Sequence, residues 1–212
     1  MIAPHIKNII FDLGGILLPI TMTRCFENFA RLGFSDIRNY VNEYYKDGLF
    51  QELELGLVTV PQFCARLRQI AHITASDAQI IDAWNTFIAP VEKTKLNALL
   101  ALSRHYRVFL LSNTSQIHWD HVCRCDFAHD GFTVKDHFEK TYLSFELHIT
   151  KPDAAIYEFL LKDAGIEPQA SLFIDDSQKN CDAAHALGIH TYCDPNADTW
   201  KDALARDPCP VD

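Results

Sequence analysis

The sequence predicts an α/β fold, a parallel sheet with crossover helices, carrying a small all-helical unit inserted after the first strand. Three observations predict it. Short apolar runs at residues 7–12 (KNIIFD), 107–112 (RVFLLS) and 171–176 (SLFIDD) each end in a polar or acidic residue. A helical segment follows each run. Between the first and second runs, residues 19–91 have helical periodicity and little strand character. Strands alternating with helices in this way lie parallel, and ligands bind at their carboxyl ends.

In chain order, residues 7–12 form a buried strand that delivers Asp12 to its carboxyl edge, beside Gly14 and Gly15. The insert holds four expected helices, at 21–32, 37–46, 60–71 and 76–87, the third entered through Pro61. The strand at 107–112 ends in Ser112, followed by Asn113. A further helix follows Lys151 and Pro152: proline suits a first helical turn, Ile156, Phe159 and Leu160 supply an apolar face, and Gly165 closes the end. The strand at 171–176 carries Asp175 and Asp176, with a helix over 177–187 ended by Gly188. A strand at 190–193 and a short helix at 199–206 complete the chain. Residues 1–18 and 92–212 thus form the core, and residues 19–91 a lobe over the strand ends.

At 212 residues the chain can bury one good core and a modest second lobe. Its 48% hydrophobic and 22% charged residues are those of a globular protein, not a disordered one. The net charge of -9, with no cluster of Lys and Arg, excludes a nucleic-acid binder. The apolar stretch 9–20 has Asp12 in its middle and no basic run before it, unlike a signal peptide or membrane span. Without an export signal, the 7 cysteines are expected as free thiols of a cytoplasmic protein.

Four elements stand in order: Asp12 before Gly14 and Gly15, then Ser112 and Asn113, then Lys151 before Pro152 and Asp153, then Asp175 and Asp176. This order resembles the four motifs of the haloacid dehalogenase (HAD) superfamily. The stretches LLSNT, KPDAAIYEF and LFIDDSQKN resemble the branch containing α-D-glucose-1-phosphate phosphatase and the N-terminal phosphatase domain of soluble epoxide hydrolase. The resemblance implies a Rossmannoid core with a small helical cap, and a magnesium-dependent phosphatase working through an aspartyl-phosphate.

A phosphate monoester is anionic, so a carboxylate attacks it only where charge is screened, and Mg2+ with oxygen ligands does this. By resemblance, Asp12, the carbonyl of Gly14 and Asp176 hold the metal, with Asp175 as auxiliary acid. Asp12 is also the nucleophile. Ser112 and Asn113 bind phosphoryl oxygens, and Lys151 balances the phosphate charge and pairs with Asp12. Asn180, one helical turn beyond Asp176, is placed to orient a metal ligand or a metal-bound water. The expected substrate is a small phosphorylated metabolite, sugar phosphates included.

Each element has a plainer reading. Asp12 suits a turn beside glycines, Ser112 and Asn113 suit a helix cap, Asp175 and Asp176 suit a helix entry, and Lys151 suits an exposed surface. Their order in one chain favours the chemical reading of all four. A second constellation, His118, His121 and Cys125, falls on one helical face and could bind zinc. No paired spacing supports that, and packing is the expectation. Trp84 and Trp119 read as core or lobe-interface residues.

One position departs from the resemblance. Phosphatases of the superfamily carry a second Asp two residues after the nucleophile, as general acid and then base, and this chain has Gly14. A missing acid–base group costs about 10²- to 10⁴-fold in rate. The α-D-glucose-1-phosphate phosphatase branch shares the glycine. Two consequences are open: a slow, leaving-group-sensitive enzyme with a pre-steady-state burst, or a replacement group supplied by the cap. Two other functions are open as well. A metal-independent haloacid dehalogenase also lacks that Asp, but Asp175 and Asp176 would repel its substrate. A degenerate module could hold a phosphorylated ligand without turnover.

Overall fold

The computed structural model describes residues 5–41, 48–196 and 199–205. Its strands are β1 (Asn8–Phe11), β2 (Arg107–Ser112), β3 (Lys140–Leu143), β4 (Ser171–Asp175) and β5 (His190–Cys193). They form one sheet in the order β3-β2-β1-β4-β5, with every neighbouring pair parallel. Three strands fall on the apolar runs and β5 on the strand expected at 190–193. The exception is β3, whose edge position leaves Lys140 exposed and Thr141 half-buried, so its sequence lacks a fully apolar run.

Register explains why the motif residues converge. Phe11 pairs with Leu110 on one side and Ile174 on the other. The next residue, Asp12, donates its amide to the Ile174 carbonyl at 2.9 Å, continuing the ladder to the sheet's edge. The ends of β1, β2 and β4 therefore stand side by side.

Residues 19–91 hold four α-helices among the described residues: α1 (Met22–Arg31), α2 (Leu49–Glu54), α3 (Val60–Ala71) and α4 (Asp77–Asn85). Thr59 with Gln62 and Ser76 with Gln79 form capping boxes that start α3 and α4, each satisfying exposed amide donors in the first turn. The helix expected at 37–46 is not seen in its described part, where Ser35–Asn39 is a 3-10 turn, and residues 42–47 lie outside the described residues. α2 was not foreseen. Cys25, Phe29, Phe50, Phe63, Leu67 and Trp84 belong to a hydrophobic cluster shared by these four helices.

The remaining helices are α5 (Lys93–Leu102), α6 (Gln116–Val122), α7 (Val134–His137), α8 (Ser144–Leu147), α9 (Ala154–Ala164), α10 (Gln178–Ala186) and α11 (Trp200–Ala205). Strand alternation splits the apolar side chains between two faces. Ile9, Phe11, Val108 and Leu110 meet Leu96 and Leu99 of α5, Val122 of α6 and Trp200 of α11. Ile10, Phe109 and Leu111 meet Ile156, Tyr157 and Leu160 of α9 and Ala184 of α10. Both faces being covered, the central strands are apolar between their polar ends, as parallel strands require.

Two details of α9 differ from expectation. Pro152, after a cis peptide bond, precedes the helix instead of entering it, and the cap is Asp153, whose side chain accepts from the Ala155 amide at 2.9 Å. Phe159 is 44% exposed, and Tyr157 takes its place on the buried face. Among the described residues no helix is long and apolar enough to cross a membrane. All six cysteines of the described residues are free thiols.

Candidate active site

At the carboxyl edge of the sheet, Lys151 lies between two carboxylates. Its Nζ is 2.7 Å from Asp12 Oδ1 and 2.6 Å from Asp175 Oδ2. All three side chains are essentially removed from water, so the plain reading of Lys151 as a surface lysine is wrong. Asp176 completes the group: ligand oxygens of Asp12, Asp175 and Asp176 lie within 4.8 Å of one another.

Three carboxylates crowd around one buried ammonium, in a place that burial makes expensive for charge. The strain appears in Asp12. Burial raises its pKa, Lys151 opposes this, Asp175 and Asp176 add to it, and the result is about 8. For Lys151, burial works to lower the pKa, but Asp12 and Asp175 outweigh it and hold the ammonium protonated. A hard divalent cation with oxygen ligands fits this donor set and its charge.

Each acid has a different freedom. Asp175 is fully buried, with Oδ2 taken by Lys151 and Oδ1 accepting from the Ser177 amide and Asn180 Nδ2, each at 2.9 Å. It is a structural anchor behind the group. Asn180 thus holds Asp175, the anchor behind the group. Asp12 Oδ1 also accepts from the Leu13 amide at 2.7 Å. Asp176 lines the open cavity, and only a glycine fits beside it. A Cβ on Gly15, whose φ is +80°, would lie 2.3 Å from Asp176 Oδ2.

Ser112 and Asn113 are not the helix cap. Ser115 caps α6, its hydroxyl accepting from the His118 amide. Asn113 instead clamps Lys151 through its side chain: Nδ2 donates to the Lys151 carbonyl at 2.9 Å, and Oδ1 accepts from the Lys151 amide at 2.8 Å. That clamp uses Oδ1 and one Nδ2 hydrogen for positioning, and the Asn113 backbone N–H is a further donor at the strand end. Ser112, 1% exposed, ends β2 beside Asp12.

Asp12, Gly14, Ser112, Asn113, Lys151 and Asp176 line a cavity of about 190 Å³. The helical lobe supplies its other wall. Of the lobe aromatics, Phe50, Trp84 and Phe87 reach the cavity. Phe63 is buried among the helices, and Phe26 lies under the Arg38 guanidinium. Arg66 and Arg68 point away, paired with Glu52 and Asp77. Glu54 also lines the cavity and was not foreseen, because one acid at the end of a six-residue helix carries no motif.

His118 belongs to the lobe interface. Its Nε2 donates to the Trp84 carbonyl at 3.0 Å, and its ring stacks on Trp84 and Phe87 at 4.7 and 5.8 Å. His121 and Cys125 pair with each other at 3.9 Å on the outer side. Among the described residues the three aspartates are the group of metal-ligating type, and the zinc reading gives way to packing. Trp119 packs against the core, as expected.

Residues 6–188 match the haloacid dehalogenase-like hydrolase family. The chain is 33% identical to D-ribitol-5-phosphate phosphatase of Bacteroides thetaiotaomicron over 94% of its own length and 97% of that protein. Among solved structures, a HAD family enzyme of Bacteroides thetaiotaomicron, an aspartate-to-alanine mutant in complex with magnesium and inorganic phosphate, is 42% identical with a TM-score of 0.92, covering 94% of this chain and 98% of that one. A HAD-like family hydrolase from Porphyromonas gingivalis is 33% identical with a TM-score of 0.88, covering 95% and 97%. By its motif order, its strand-end cluster and its match along most of its length, the chain belongs to the haloacid dehalogenase-like hydrolases.

Proposed function

We propose that the strand-end cluster is the catalytic centre, with Asp12 as the nucleophile toward phosphorus. The chain is a phosphatase of its family and uses magnesium. Asp12, the Gly14 carbonyl and Asp176 would hold the metal, with Asp175 behind them. When bound, magnesium screens and orients the phosphate dianion. Asp12 attacks in line, and the resulting aspartyl-phosphate is hydrolysed by water. Ser112 and the Asn113 N–H take phosphoryl oxygens, and Lys151, clamped by Asn113, supplies fixed positive charge.

Residues 19–91 act as a cap over the core formed by 1–18 and 92–212, enclosing a small monoester. The substrate class we favour is a polyol or sugar phosphate, since the relative at 33% identity acts on D-ribitol 5-phosphate. The single observation that carries the reading is Lys151 held between Asp12 and Asp175 at 2.7 and 2.6 Å, with Asp176 alongside.

Phosphate release from D-ribitol 5-phosphate and p-nitrophenyl phosphate, measured with magnesium and with excess chelator, tests it. Activity is expected only with magnesium. Full activity in chelator would replace it with the metal-independent reading, and tight binding of phosphate without turnover would leave a binding module.

Gly15→Ala is expected to raise the magnesium requirement about 10- to 100-fold, the usual cost of disturbing what orients a metal ligand. The methyl group would occupy the place of the Asp176 carboxylate. Titration of activity against magnesium checks this, and an unchanged requirement would remove Asp176 from the metal site.

A further inference from the structure

If the chain is a phosphatase, as proposed above, Gly14 leaves its proton transfers without a carrier. The leaving alkoxide needs a proton in the first half-reaction, and the attacking water must lose one in the second. Near Gly14 an added Cβ would meet only Ile20, at 3.6 and 3.9 Å, so no polar side chain fills the missing position.

The cavity wall contains one carboxylate besides Asp12 and Asp176, namely Glu54 at the end of α2, 8% exposed. Its backbone is fixed to the core at three successive residues. The Glu54 carbonyl accepts from Ser144 Oγ at 2.8 Å, and the Leu55 carbonyl is 2.7 Å from His148 Nδ1. Gly56 lies so close to the core that a Cβ there would be 2.0 Å from the Phe145 carbonyl oxygen. The same Ser144 hydroxyl accepts from the Thr114 amide at 2.9 Å and lies 3.0 Å from the Thr114 carbonyl. One buried serine thus sets Glu54 against the strand end that carries Ser112 and Asn113.

The other acid–base candidate in the wall is His118, but its Nε2 is committed to the Trp84 carbonyl and its ring is held in a stack. Lys179 is exposed at the rim. Glu54 has the chemistry, the burial and the fixed position.

We propose that Glu54 is the proton carrier that Gly14 lacks. In the first step an Asp12 oxygen bonds to phosphorus as the ester P–O bond breaks, and the Glu54 carboxyl gives its proton to the departing oxygen, releasing the alcohol. In the second, the Glu54 carboxylate takes a proton from water as the water oxygen bonds to phosphorus and the Asp12–phosphorus bond breaks. Inorganic phosphate leaves, and Glu54 is protonated again.

The test compares a poor leaving group, D-ribitol 5-phosphate, with p-nitrophenyl phosphate, whose phenolate departs without a proton. Glu54→Gln is expected to lower kcat on the polyol phosphate about 10²- to 10⁴-fold with KM little changed. On p-nitrophenyl phosphate the first turnover should stay fast while later ones slow, giving a burst near one equivalent per active site that wild type lacks. Adding Gly14→Asp to Glu54→Gln should remove the burst and restore turnover, since the Gly14 site has room for a side chain. Equal losses on both substrates without a burst, or a higher KM with kcat intact, would overturn the proposal and make Glu54 a packing or hydroxyl-binding residue. A burst already present in wild type would overturn it too. Wild type inactive on both substrates with magnesium would instead defeat the phosphatase reading beneath it.

Discussion

Asp12→Asn is expected to lower turnover by about 10⁶-fold, the scale on which loss of a covalent nucleophile acts, while the protein stays folded. The asparagine amide matches the carboxylate in volume, and its oxygen can still accept from Lys151 and the Leu13 amide, as Asp12 Oδ1 does at 2.7 Å in both cases. What disappears is the attacking charge and one of three crowded acids. Since Asp175 and Asp176 disfavour ionised Asp12, the substitution removes a repulsion as well as a nucleophile. Steady-state kinetics with magnesium, beside a thermal melt, separates the two effects. A melt like that of wild type with near-background turnover is the expected pair. Turnover close to wild type would place the nucleophile elsewhere.

Lys151→Ala should injure both stability and catalysis. Lys151 is the shared partner of two carboxylates at 2.6 and 2.7 Å, all three nearly free of solvent. Breaking a buried pair from one side costs about 3–5 kcal/mol, because the remaining charge has neither water nor a partner. Asp12 and Asp175 would be left facing each other. Urea denaturation without magnesium should register that loss, and magnesium should recover part of it by supplying positive charge to the same oxygens. With magnesium present, kcat should still fall about 10²- to 10³-fold, the cost of removing one preorganised stabiliser of phosphoryl charge. Unchanged stability with intact kinetics would mean that the ion pair has no role in either.

The motif residues were legible because their chemistry is tied to strand ends. A strand that must be apolar on both faces and then stops at an acid leaves a local pattern, as in residues 7–12 and 171–176. Register then converts three such patterns into one cluster, with Phe11 flanked by Leu110 and Ile174. β3 left no such pattern, because an edge strand buries less and tolerates Lys140 and Thr141.

What each polar group is free to do depended on partners far away in sequence. Asn113 commits its side chain to clamping the backbone of Lys151, 38 residues on. Glu54 becomes part of the cavity because Ser144, 90 residues later, accepts the job of joining its carbonyl to the core. His118 is drawn into a stack by Trp84 and Phe87 and away from any metal. The sequence alone determined the α/β core and the order of its strand-end acids, since burial and periodicity act over a few residues, while Lys151 was placed against them only by the family resemblance. The tertiary structure alone decided which hydrogen-bonding atoms remain available and which lobe residues face the substrate, because a buried donor or acceptor is assigned by whichever distant partner satisfies it.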